Sequence, residues 1–253
     1  MPQPRTHTTP LIDMPSTGHL FVALALLLAA MTTTASTPAF RVGEAGPFGG
    51  QRQVRPAVAE EAQRGYQTSY FEQVVDHFEF TEPASVTFKQ RYLHSSASFG
   101  RQGSPIFFYT GNEDEITAYA EAAGAVWEAA DAMDAAVVFA EHRYFGESLP
   151  FGKATFNHTG NLRWLTIEQA LADYALLITA LKDPSSPHYL APGAEHAPVI
   201  TFGGSYGGIL SAFFRAKYPN IVAGAIASSA PVWSFVDTAP DGGFGFNRWT
   251  TKT

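Results

Sequence analysis

Apolar residues fall along this chain in short runs separated by stretches of helical period, a pattern that predicts strands and helices in alternation. Residues 71–80 (FEQVVDHFEF) and 88–94 (FKQRYLH) mix apolar and polar positions as the edge strands of an N-terminal hairpin or meander do. Residues 105–110 (PIFFYT) read as a buried strand, followed by GNEDE and an alanine-rich helix over about 116–133. Residues 135–140 (AAVVFA) form the next strand. A helix follows over 166–181: Thr166 stands where it can cap the first turn, Gln169 takes the capping-box position, and Ile167, Leu171, Tyr174 and Ile178 share a face. Then come a strand at 199–202, a helix at 211–218 with Arg215 and Lys217 on its polar side, and a strand at 221–228. Strands separated by helices predict an α/β class with a mostly parallel sheet and right-handed crossovers.

One apolar run is broken in a particular way. Between the strand at 199–202 and the helix after it lies Gly203-Gly204-Ser205-Tyr206-Gly207, a G-x-S-x-G pattern in strand–turn–helix context. A serine at such a turn is held in a strained backbone with its hydroxyl pushed out above the sheet. Side chains at Gly203 and Gly207 would strike the neighbouring strand and helix. The Tyr206 N–H, at the helix start, then points to where an oxyanion would form. The element order around this turn is that of an α/β-hydrolase with a nucleophile elbow. A glycine-rich turn that merely contains a serine is the bland alternative, and the flanking strand and helix favour the nucleophile.

Composition narrows the picture. With 253 residues and 45% hydrophobic content the chain can bury a sizeable core, and a formal charge of −7 without a basic run excludes nucleic acid as the expected partner. Residues 20–31 (LFVALALLLAAM) have the length of a signal-peptide core and are too short to span a bilayer, so residues 1–35 are read as a signal peptide cleaved after Ala35. Met14 is an alternative start. Residues 36–65, rich in Gly, Pro, Ala, Gln and Arg, read as a flexible leader or propeptide, and 66–253 as the α/β-hydrolase part of the chain. Asn157-His158-Thr159 is a glycosylation sequon, in keeping with a secretory route to a lysosome, a vacuole or the exterior. No cysteine is present, which excludes disulfides, thiol catalysis and thiolate metal sites. No cofactor and no metal site are expected.

Ligands in such sheets bind beyond the carboxyl ends of the strands, which three loops reach: 111–115, 141–150 and the elbow. Gly111 lets the backbone approach a substrate, and the N–H of Gly111 or of Asn112 is the second oxyanion donor. Glu113 either binds a charged substrate terminus or accepts backbone hydrogen bonds in its turn. Glu141 and Arg143 are expected to fix their loop through charge-assisted hydrogen bonds, and His142 is expected to have no direct catalytic role. His77 beside Asp76 is read as structural, because adjacent strand residues point to opposite faces. A serine nucleophile needs a base, in this fold a histidine reached in the order Ser, acid, His. No histidine follows Ser205, and the only acids after it are Asp237 and Asp241.

The runs VDHFEF, TFKQRYL, FFYTGNEDE, VVFAEHRYFGESLPFG, LTIEQALADYALLI, FGGSYGGILSAFFRAKYP and VAGAIASSAPVW, in order over residues 70–235, resemble the serine peptidases comprising lysosomal Pro-Xaa carboxypeptidase and dipeptidyl-peptidase II. The resemblance implies an α/β-hydrolase core with a helical insert over the site and cleavage beside proline. It implies peptide substrates with proline near a terminus, leaving room for a homodimer. It places Ser205 on the family's nucleophile and Tyr206 on an oxyanion donor, while the family's Asp, His and helical insert have no counterpart here. The expectation is therefore a proline-selective serine exopeptidase working through an acyl-enzyme, with this chain truncated. The alternatives are a catalytically inactive short form acting as a binding protein, and an esterase or lipase on the same elbow.

Overall fold

The computed structural model describes residues 65–80, 86–100 and 103–232. All of these belong to one compact unit. The signal peptide, nearly all of the leader, Asp237 and Asp241 lie outside the described residues.

Six strands form one sheet: β1 Gln67–Val74, β2 Thr87–Ser95, β3 Ile106–Thr110, β4 Ala136–Ala140, β5 Val199–Gly204 and β6 Gly224–Ser228, in the spatial order β1-β2-β4-β3-β5-β6. The β1–β2 and β2–β4 pairs are antiparallel, and the β4–β3, β3–β5 and β5–β6 pairs are parallel. Four described α-helices accompany them: α1 Ile116–Ala122, α2 Gly124–Met133, α3 Ile167–Lys182 and α4 Tyr206–Lys217. This mostly parallel sheet, entered through an antiparallel meander and carrying a serine at the β5–α4 turn, is the α/β-hydrolase fold.

The register shows how a continuous apolar strand is buried on both sides. Ile106 lies beside Ala136 and Phe108 beside Val138, and this face packs on Leu171, Tyr174 and Ile178 of α3 and on Leu210 and Phe214 of α4. Their neighbours Phe107 and Tyr109 lie beside Val137 and Phe139, and that opposite face stacks Tyr109 on Tyr119 of α1 and Phe139 on Trp127 of α2. The result is three layers, helices on both faces of the sheet.

Several boundaries differ from the sequence expectation. β1 ends at Val74, because Asp76 turns back to accept the Phe78 N–H and is held by the Trp164 and Gln169 side chains. The alanine-rich helix is two helices, broken at Ala123 (φ −86°, ψ 47°) just before Gly124, a residue that weakens a helix interior. α4 starts at Tyr206, five residues before the apolar period makes it visible, because the glycines that hide the period are themselves helical. β6 starts at Gly224, not at residue 221. Thr166 caps α3 by accepting the Gln169 N–H at 3.3 Å, but the Gln169 side chain does not close a capping box. It bonds Asp76 Oδ1 (2.6 Å) and the His77 N–H (2.9 Å), tying the chain after β1 to the start of α3.

Candidate active site

Parallel pairing brings the carboxyl ends of β3, β4 and β5 to one edge, so the loops after Thr110, Ala140 and Gly204 meet there. Ser205 sits at that edge with φ 54° and ψ −122°, a conformation rarely tolerated by a residue with a Cβ. The strain is held by packing. Its N–H donates to Ser228 O of β6 at 2.9 Å. A Cβ on Gly203 would lie 2.1 Å from Gly207 O, and one on Gly207 would lie 2.6 Å from Thr110 O. The Thr110 hydroxyl contacts Phe202 O and Gly207 O, at 3.0 and 2.7 Å, pinning strand and helix on either side of the serine. Gly204 is unlike its neighbours, since the nearest atom to its Cβ position is 3.8 Å away. Ser205 itself is exposed, and its side chain does not cap α4.

Tyr206 opens α4, so its N–H has no intrahelical acceptor and lies beside the serine. Of the two candidate donors on the β3 loop, Gly111 is engaged: its N–H donates to Ala140 O at 3.0 Å, while no backbone bond engages the Asn112 N–H among the described residues. The glycine at 111 is demanded by the adjacent strand rather than by a substrate, since a Cβ there would meet Ala140 O at 2.5 Å. Asn112 is buried, with its Nδ2 3.5 Å from Gly204 O and its Oδ1 lacking a hydrogen-bond partner. Glu113 is exposed at the same rim, and its charge helps push the Tyr206 phenol up to about 12, after burial and ahead of Glu168. Asp114, not Glu113, accepts the turn's own backbone N–H, that of Glu115.

Beneath the rim the loop after β4 is built on two buried ion pairs. Glu141 accepts from Arg91 Nη2 (2.6 Å), from the N–H groups of Ile116, Glu147 and Ser148, and from the Ser148 hydroxyl. Arg143 donates to both carboxylate oxygens of Asp173 on α3 (2.7 and 2.8 Å), to Val74 O, Val75 O and Trp164 O, and lies over the Phe88 ring. Glu141 and Arg143 thus fix the loop as expected, each with a partner on another element. His77 pairs with Asp173 at 2.7 Å and not with Asp76, which makes it part of this framework. His142 is fully buried, with Nδ1 2.6 Å from Arg143 O and Nε2 3.1 Å from the Tyr206 hydroxyl. Burial lowers its pKa to about 4. Both of its ring nitrogens are thus already engaged in hydrogen bonds. Thr110, Arg91 and Asp173 were missed from sequence, since nothing local marks a buried polar residue whose partner is an element away.

The matching family is serine carboxypeptidase S28, over residues 73–240. The chain belongs to this family. It is 47% identical over 225 residues to lysosomal Pro-X carboxypeptidase of Pongo abelii, covering 89% of this chain and 43% of that one. To the proteins of the same name it is 46% identical in Homo sapiens over 225 residues, covering 89% and 43%, and 50% identical in Mus musculus over 189 residues, covering 75% and 36%. The chain therefore spans less than half the length of these curated relatives. Among the described residues no helix is long and apolar enough to cross a membrane.

Proposed function

We propose that the protein is a serine exopeptidase that cleaves peptides beside proline through an acyl-enzyme at Ser205. The observation that carries this reading is the strained, exposed Ser205 at the β5–α4 turn, in a conformation supported by glycines that admit no side chain. A hydroxyl held this way attacks a substrate carbonyl, and the carbonyl oxygen takes up negative charge between the N–H groups of Tyr206 and Asn112. Glu113, exposed beside Tyr206, is the group that would meet a positively charged substrate terminus. No histidine follows Ser205 in the sequence. The acid and base are accordingly assigned to the portion of the relatives' length that this chain does not span. The relatives' names supply the Pro-X preference and the lysosomal destination, and the exposed sequon at Asn157 suits passage through the secretory pathway.

The test uses the native polypeptide and peptides with proline one residue from either end. Ser205→Ala should abolish release of the terminal residue or dipeptide, a drop of at least about 10³-fold given the scale of triad losses. Retained turnover would remove Ser205 from the mechanism. Release from the carboxyl end alone would assign the carboxypeptidase direction.

A further inference from the structure

His142 and Tyr206 are 64 residues apart in sequence, yet their rings lie 5.5 Å apart and share one hydrogen bond. The direction of that bond follows from chemistry. A backbone carbonyl only accepts, so the 2.6 Å contact with Arg143 O places the proton of a neutral imidazole on Nδ1. Nε2 then carries a lone pair and can only accept, and the Tyr206 phenol must be the donor. The imidazole is closed in by Phe145, edge-on at 5.5 Å, and cannot turn to offer its other face without losing both bonds.

We propose that His142 is a positioning residue that tethers the Tyr206 ring beside Ser205, making that ring a fixed wall of the pocket that receives the substrate residue next to the scissile bond. The backbone of Tyr206 is already fixed by the elbow, so what the tether adds is the orientation of the side chain. Tyr206 follows Ser205 directly and is half-buried, its ring packed against the core on one side and tied to His142 by the phenol. A free tyrosine ring would rotate among its side-chain rotamers and leave the pocket undefined. This proposal rests on the reading of Ser205 as the nucleophile.

Tyr206→Phe removes one oxygen and leaves packing intact; His142→Leu removes the acceptor; His142→Gln keeps an acceptor near the Nε2 position. In the native polypeptide, Tyr206→Phe and His142→Leu should each lower kcat/KM for a proline peptide about tenfold, the scale of one lost buried hydrogen bond. The loss should appear mainly in KM, and the double variant should be no worse than either single one. His142→Gln should recover most of the loss. In His142→Leu, hydrolysis of a small activated ester, which reaches Ser205 without needing the wall, should change less than twofold. Additive losses in the double variant, or equal losses on ester and peptide, would overturn the proposal. So would an NMR spectrum showing the His142 proton on Nε2, a readout that does not depend on activity. If Ser205→Ala leaves turnover unchanged, the peptidase reading fails by itself, and the NMR tautomer still decides the tether.

Discussion

Gly207 carries no side chain because there is no room for one. A Cβ there would sit 2.6 Å from Thr110 O and 3.1 Å from Asn112 Oδ1, and the first of these is backbone that cannot swing aside. Gly207→Ala should therefore destabilise the protein by at least the roughly 1–3 kcal/mol typical of over-packing. It should also silence Ser205, since relief of the clash means moving α4 away from β3. Gly160 has nothing within 4 Å of its Cβ position and makes the control. Gly160→Ala should stay within about 0.5 kcal/mol of the parent in urea denaturation. The elbow was legible in the sequence because its constraint is local: strand, glycines, serine and helix are contiguous. The side chains that support it were not. Thr110 holds Gly207 from 97 residues away, and only folding shows that their faces meet.

At the scale of elements, α3 is held by a charge as well as by its apolar face. Asp173 projects from the helix into a site with no solvent exposure, where it meets Arg143 from the β4 loop and His77 from the chain after β1. Arg143 also binds the carbonyls of Val74, Val75 and Trp164, so one guanidinium joins the end of β1, the β4 loop, the segment before α3 and α3 itself. Removing one partner leaves a buried charge unpaired, and Asp173→Ala should cost about 3–5 kcal/mol. The double change Asp173→Leu with Arg143→Met should recover a large part of that, because neither charge then remains to be solvated. Urea midpoints of the three proteins check both statements. From sequence, the helix itself was readable by its period and by Thr166. Asp173 reads there as one polar residue in an apolar run, and its buried partner, 30 residues earlier, could not be inferred from either position. The break at Ala123 was missed for a different reason: alanine favours helix strongly enough that the pattern runs straight through it.

The whole molecule inherits a pH dependence from the same buried loop. In the fold His142 is kept neutral down to about pH 4 by burial, whereas in the unfolded chain it takes up a proton near its usual 6.5. Between those values the unfolded state binds a proton that the native state does not, so stability is complete above about pH 6.5 and declines as pH falls toward 4. At about 1.4 kcal/mol per unit, this histidine alone contributes a loss on the order of 3 kcal/mol across the window. His94, lowered by burial and then by the neighbouring His188, acts in the same direction. Unfolding free energies measured from pH 7 to pH 4 should fall in the parent and fall distinctly less in His142→Gln, which has nothing to titrate. Parallel curves for the two proteins would mean that His142 takes its proton in place. A protonated imidazole has no lone pair to accept from Tyr206, so that outcome would also show the tether releasing in acid.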